Sequence, residues 1–265
     1  MFKESTARFR MTLGTRSGTP AANYAAGVVS AVLGDRDGAR GFYESVIRAA
    51  PDCAEAHYGL GIVHAEMSRY REAVAELETA RRGLGGSVRV ARALGRAYRA
   101  LGEDQHAIDA YRAALDENPD GSLSDLVRLD LGRSYYDLGR FEEAAGEFRA
   151  AAASRPFDPH LGVNIGAACL AAGKLDEARR HFEAALASAP DLVSALRNLG
   201  VCHLRAERFD AAVEVLSKAL SIEPAHAATH RRLALAYHQR GQDDRAAEHF
   251  TRALEIEARS GGGGS

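Results

Sequence analysis

A unit of 34 residues returns seven times between Pro20 and Ser260, with one slip of three residues, and no other property of the chain restricts its fold so strongly. A small residue stands eighth in each copy: Gly27, Gly61, Gly95, Gly132, Gly166, Gly200 and Ala234. Twelve residues later comes alanine every time, at Ala39, Ala73, Ala107, Ala144, Ala178, Ala212 and Ala246. Four residues beyond that stands a large apolar side chain, at Tyr43, Leu77, Tyr111, Phe148, Phe182, Leu216 and Phe250. Proline ends most copies, at Pro51, Pro119, Pro156, Pro190 and Pro224.

Within each copy the apolar positions recur at three and four residues, so each half predicts an amphipathic helix rather than a strand. Gly34, Gly102, Gly139, Gly173 and Gly241 fall between the halves, where a residue with positive φ ends the first helix. The small residues let paired helices approach closely, and the large residue four positions on fills the space beside that contact. Proline interrupts helical dihedrals and closes the unit. One such unit cannot bury its apolar face alone, so neighbours must stack.

At these offsets the pattern resembles the tetratricopeptide repeat family. The resemblance implies an all-α solenoid of antiparallel helix pairs stacked into a right-handed superhelix. Its units are expected at residues 20–53, 54–87, 88–121, 125–158, 159–192, 193–226 and 227–260. Residues 1–19 read as the second helix of a truncated repeat, since Phe2, Phe9, Arg10 and Arg16 align with Phe141, Phe148, Arg149 and Arg155; a basic tail is the alternative. Residues 261–265 read as an engineered GGGGS linker. The slip lengthens the loop after Pro119, where Asp120 or Ser124 is expected to cap the next helix. With no polar capping helix after the last unit, the terminal repeats are expected to leave surface for self-association, and the chain reads as part of something longer.

Composition narrows the function. No apolar run approaches the roughly 18 residues of a membrane span, and the N-terminus lacks a signal-peptide core, so the expected compartment is cytoplasmic. Cys53, Cys169 and Cys202 form no CxxC pair, so neither a disulfide framework nor a zinc motif follows, and they read as reduced packing thiols. Gly166 to Lys174 lacks the glycine spacing of a phosphate loop, and Gly59-Leu60-Gly61 lies inside a helix. His226 and His230 straddle a predicted helix start without a thiol or carboxylate cluster, while His57, His64, His203 and His230 occupy packing positions. No nucleophile, base and orienting group assemble at helical spacing, so no enzyme, cofactor or metal site is expected.

Function is therefore sought on the surface. The resemblance implies that first helices line the concave side. Their non-packing positions include Arg89, Arg92, Arg96 and Arg99 in the third unit, three and four residues apart on one face. Asp130, Arg133, Tyr136 and Asp137 follow in the fourth, Arg197 and Arg205 in the sixth, Arg231 and Arg232 in the seventh. Nine arginines thus stand against Asp130, Asp137, Glu55 and Glu66, in a chain whose net charge is −2. Guanidinium forks suit carboxylates or phosphates; alternatively these arginines are solvated, or paired with neighbours such as Asp130. Asn164 and Asn198 share the sixth position of successive units, where family members use asparagine to hold a peptide backbone.

The expected function is a non-enzymatic scaffold or adaptor whose Arg-rich groove binds an extended, acidic peptide segment. The alternative is the substrate-targeting arm of a larger enzyme such as a protein glycosyltransferase. Nucleic acid is disfavoured by the near-neutral charge and few groove aromatics. Charge reversal at Arg92 and Arg96 is expected to weaken binding while leaving stability unchanged.

Overall fold

The computed structural model describes residues 19–117, 123–155 and 158–261. The N-terminal half-repeat, Pro119, Pro156, Asp120 and most of the linker lie outside the described residues. Fourteen helices and no strand occur among those described, grouped in two compact units, Met1–Leu138 and Gly139–Ser265.

The first unit holds α1 (Pro20–Val32), α2 (Arg36–Ala49), α3 (Ala54–Glu66), α4 (Tyr70–Leu84), α5 (Val88–Ala100), α6 (Asp104–Glu117) and α7 (Ser124–Asp137). The second holds α8 (Phe141–Ala152), α9 (Pro159–Ala171), α10 (Leu175–Ser188), α11 (Val193–Arg205), α12 (Phe209–Ile222), α13 (Ala227–Gln239) and α14 (Asp243–Gly261). Proline opens α1 and α9, where its missing N–H costs nothing. Thr19, Asp35 and Asp158 accept hydrogen bonds from the first-turn amides of α1, α2 and α9. Ser124 does not cap α7: the helix begins with it, and the N-cap is Leu123, which has no side-chain acceptor.

The pairing follows from the small residues. A Cβ built on Gly95 would lie 2.5 Å from the Tyr111 ring, one on Gly166 2.6 Å from Phe182, and one on Gly200 2.4 Å from Leu216. Tyr111, Phe182 and Leu216 are fully buried, so the ring or isobutyl group occupies the room that the glycine vacates. Ala234 stands in the equivalent place of the last pair, and Phe250, four residues after Ala246, is 51% exposed, with no further helix over it among the described residues.

The helix-ending glycines at 34, 102, 139, 173 and 241 all have positive φ, between 68° and 82°. The same turn is made by Ser68 (φ 58°) and Glu207 (φ 55°), which the glycine pattern did not reveal. Within each unit, each helix packs on the next along the chain. First helices also meet one another, α1 with α3, α3 with α5 and α5 with α7 in the first unit, and α9 with α11 and α11 with α13 in the second. Contacts of that kind between second helices are weaker or absent among the described residues. Within each unit the first helices therefore form the crowded, inner layer.

Candidate functional site

On the inner layer of the first unit, α3 and α5 flank a cleft of about 860 Å³. Tyr58 and Ile62 from α3 and Tyr70 from α4 give it apolar surface, and Arg89, Arg92, Arg96 and Arg99 line it from α5. All four arginines fall on one face because they are spaced three, four and three residues apart.

Their charges are not equivalent. Arg92 Nε donates to Asp130 Oδ2 at 2.7 Å, and Arg99 Nε donates to Asp137 Oδ2 at 2.9 Å. Asp130 is 5% exposed and also faces Arg133 at 3.6 Å, so it acts as a buried counter-ion from α7. Arg89 and Arg96 are exposed and have no carboxylate partner among the described residues. The row thus alternates open and paired cations. Arg92 is half-buried and paired with the buried Asp130, which argues against the expectation that its charge could be reversed with stability nearly unchanged.

Near the row, the Tyr111 hydroxyl is buried and without a hydrogen-bond partner among the described residues. Burial pushes its pKa up, with Asp130 adding to the effect and Arg99, Arg96 and Arg92 opposing it. Glu66, Asp104 and Asp137 also line the cleft, whereas Arg133 and Tyr136, which is 37% exposed on α7, do not.

In the second unit, Asn164 on α9 and Asn198 on α11 are half-buried, and neither side chain makes a hydrogen bond among the described residues. Arg232 on α13 holds the equivalent place in the next pair. Burial, then Arg197 and Arg231, push its pKa down, and no carboxylate offsets them. The other arginines are occupied: Arg197 pairs with Glu223 at 3.1 Å, Arg231 with Glu257, and Arg205 donates to the Leu170 carbonyl at 2.9 Å.

The histidines at packing positions are buried, and two of them share a device. His57 Nε2 meets the Pro51 carbonyl at 2.9 Å and its Nδ1 meets Glu76 at 2.6 Å. His230 makes the same contact to the Pro224 carbonyl at 2.9 Å, but its Nδ1 meets His249 Nδ1 at 3.0 Å. Since a carbonyl can only accept, neutral His230 carries its proton on Nε2 and accepts from His249. His226 caps α13 through its Nδ1, which accepts from the Thr229 amide.

Stacked helix pairs with a crowded inner layer and left-handed turns at fixed intervals define an α-solenoid of helical repeats. A profile described as the cilia and flagella-associated protein 70 C-terminal domain matches residues 65–262, and a tetratricopeptide repeat profile matches residues 24–67. The chain belongs to the tetratricopeptide repeat family, and residues 65–262 place it with that C-terminal-domain branch. Among solved structures it is similar to MamA, at 25% identity over 63% of this chain and 96% of the other, with a TM-score of 0.58. A tetratricopeptide repeat protein from Parabacteroides merdae shares its fold at 17% identity, over 89% and 93% of the two chains, with a TM-score of 0.70. YrrB, described as a TPR protein with an unusual peptide-binding site, aligns at 21% identity over 71% and 95%, with a TM-score of 0.60. No curated protein matches the chain significantly in sequence. No helix among the described residues is long and apolar enough to cross a membrane.

Proposed function

We propose that the chain is an interaction scaffold whose cleft in the first unit takes an extended, acidic segment of a partner protein. The exposed, unpaired guanidinium groups of Arg89 and Arg96, set beside Tyr58 and Tyr70, carry this reading. An extended peptide presents side chains to both, so carboxylates meet the arginines while its apolar groups lie against the tyrosines. In the second unit, Asn164 and Asn198 have free amide groups to hydrogen-bond a peptide backbone, and Arg232 offers a half-buried cation in need of an anion. The description of YrrB as peptide-binding is in keeping with such a role. Half-exposed Phe250 and Leu254 on α14 support self-association as a further property.

A fluorescein-labelled Glu-rich peptide of about twelve residues, with a Lys-rich control, tests the cleft by anisotropy at low and physiological salt. Arg89→Glu/Arg96→Glu is expected to weaken acidic-peptide binding by about tenfold or more, equivalent to some 1.4 kcal/mol, with unchanged helicity. Equal binding by wild type and double variant would sink the proposal.

A further inference from the structure

Between the paired helices α9 and α10 of the second unit lie three side chains of a different chemistry. Glu177 and His181 are four residues apart on α10 and so project from one face. Cys169, on the paired helix α9, points its buried thiol toward them. The thiol sulfur, a carboxylate oxygen and an imidazole nitrogen all lie within 4.8 Å of one another, with His181 Nε2 4.0 Å from Glu177 Oε1.

We propose that Cys169, Glu177 and His181 form a site for one divalent cation of the zinc class. Four-coordinate zinc has bonds of about 2.0–2.3 Å, which sets neighbouring ligand atoms about 3.5 Å apart. Closing the observed gaps therefore takes only small side-chain rotations. Thiolate, imidazole and carboxylate together select a borderline ion such as Zn²⁺ over Mg²⁺ or Ca²⁺, whose sites are built from oxygen. Three protein ligands leave the fourth position for water or a group from a partner.

A cation already lies at this cluster. Arg149 from α8 forms an ion pair with Glu177, and its Nη2 lies 3.5 Å from Cys169 Sγ. Its side chain is 42% exposed, so it can turn into solvent when a metal ion takes its position. The second nearby cation, Lys174, is engaged with Glu142 at 2.6 Å. Burial depresses the His181 pKa, which keeps the imidazole in its metal-binding neutral form, and raises that of Cys169. On coordination the Cys169 S–H bond breaks, its electron pair goes to the metal, and the proton passes to solvent. The other buried thiol, Cys202, faces the Leu175 carbonyl at 3.9 Å and has its pKa pushed up to about 11 by burial.

The test is Co²⁺ titration of the full, reduced chain, followed by Zn²⁺ displacement against a chromophoric chelator. Wild type is expected to bind one ion and to show a sulfur-to-cobalt charge-transfer band that Zn²⁺ abolishes. Cys169→Ser should remove the band, and His181→Gln should weaken binding by at least the ~10-fold that loss of even an outer partner costs. Arg149→Met should tighten binding, an effect that a merely adventitious thiol site would not show. Circular dichroism confirms that each variant is folded. No charge-transfer band in wild type, or a band that survives Cys169→Ser, would overturn the proposal.

Discussion

Removing Arg92 tests how the arginine face is held together. Asp130 has a side chain only 8% exposed and Arg92 one 24% exposed, so deleting the guanidinium strands a carboxylate in the interior of the first unit. Loss of one partner of a fully buried pair costs about 3–5 kcal/mol. Partial exposure of Arg92 and the remaining Arg133 contact at 3.6 Å reduce this to about 2–3 kcal/mol for Arg92→Met. At about 2–4 °C per kcal/mol for a chain of this size, the melting temperature should fall by roughly 4–12 °C. Arg92→Glu should cost more, because it sets two carboxylates against each other. The decisive measurement is a double-mutant cycle by thermal and urea denaturation, with Asp130→Leu and the double variant Arg92→Met/Asp130→Leu. The double variant should recover most of the loss, since removing both charges leaves nothing uncompensated. A shift below about 1 °C for Arg92→Met, or strictly additive losses, would refute the role given to this pair.

Ser68 and Glu207 adopt the left-handed conformation that glycine supplies elsewhere, so Ser68→Gly and Glu207→Gly should each stabilise by up to about 1 kcal/mol. Gly102→Ala should destabilise by a similar amount in the same urea titration, and the opposite signs would be reversed only if the turns were not left-handed in solution. Burial holds the imidazoles of His64, His181, His203 and His249 below their ordinary pKa. The unfolded chain takes up these protons first, so stability is complete above about pH 6.5 and declines as the pH falls from there toward the depressed values. Urea midpoints at pH 7.5 and 5.5 measure the loss. His249→Glu, which copies the His57–Glu76 arrangement onto His230, should make that loss smaller; an unchanged loss would exclude the histidine pair as a contributor.

The helix pairing was legible because it is periodic. Gly95 against Tyr111 and Gly166 against Phe182 are contacts between fixed positions of one unit, and the sequence repeats those positions. Non-glycine turns at Ser68 and Glu207 were hidden because neither side chain signals a positive φ, which the sequence pattern marks only through glycine. The inner arginines were legible as a face but not as a pattern of open and paired charges. Arg92 meets Asp130 and Arg99 meets Asp137 across 38 residues, so each pairing depends on how one helix pair seats on the next. Tyr58 in the cleft carried a usable signal, since it stands at the same position of its unit as Arg92 does in the following one. The Cys169, Glu177 and His181 cluster carried none: its members come from two helices, and Cys169 alone reads as a packing thiol.

Among the described residues, each helix within a unit packs on its neighbours along the chain and first helices meet the nearest first helices, so the packing inside a unit is local. Under a pulling force such a stack gives way from its margin inward, much as a zipper does. The margin at α14 is thinly covered, with Phe250 and Leu254 each 51% exposed. Every 34-residue unit that lets go releases roughly 110 Å of extended chain. The second unit therefore behaves as a series of compliant links, in which tension applied at α14 is taken up first by the α13–α14 pair.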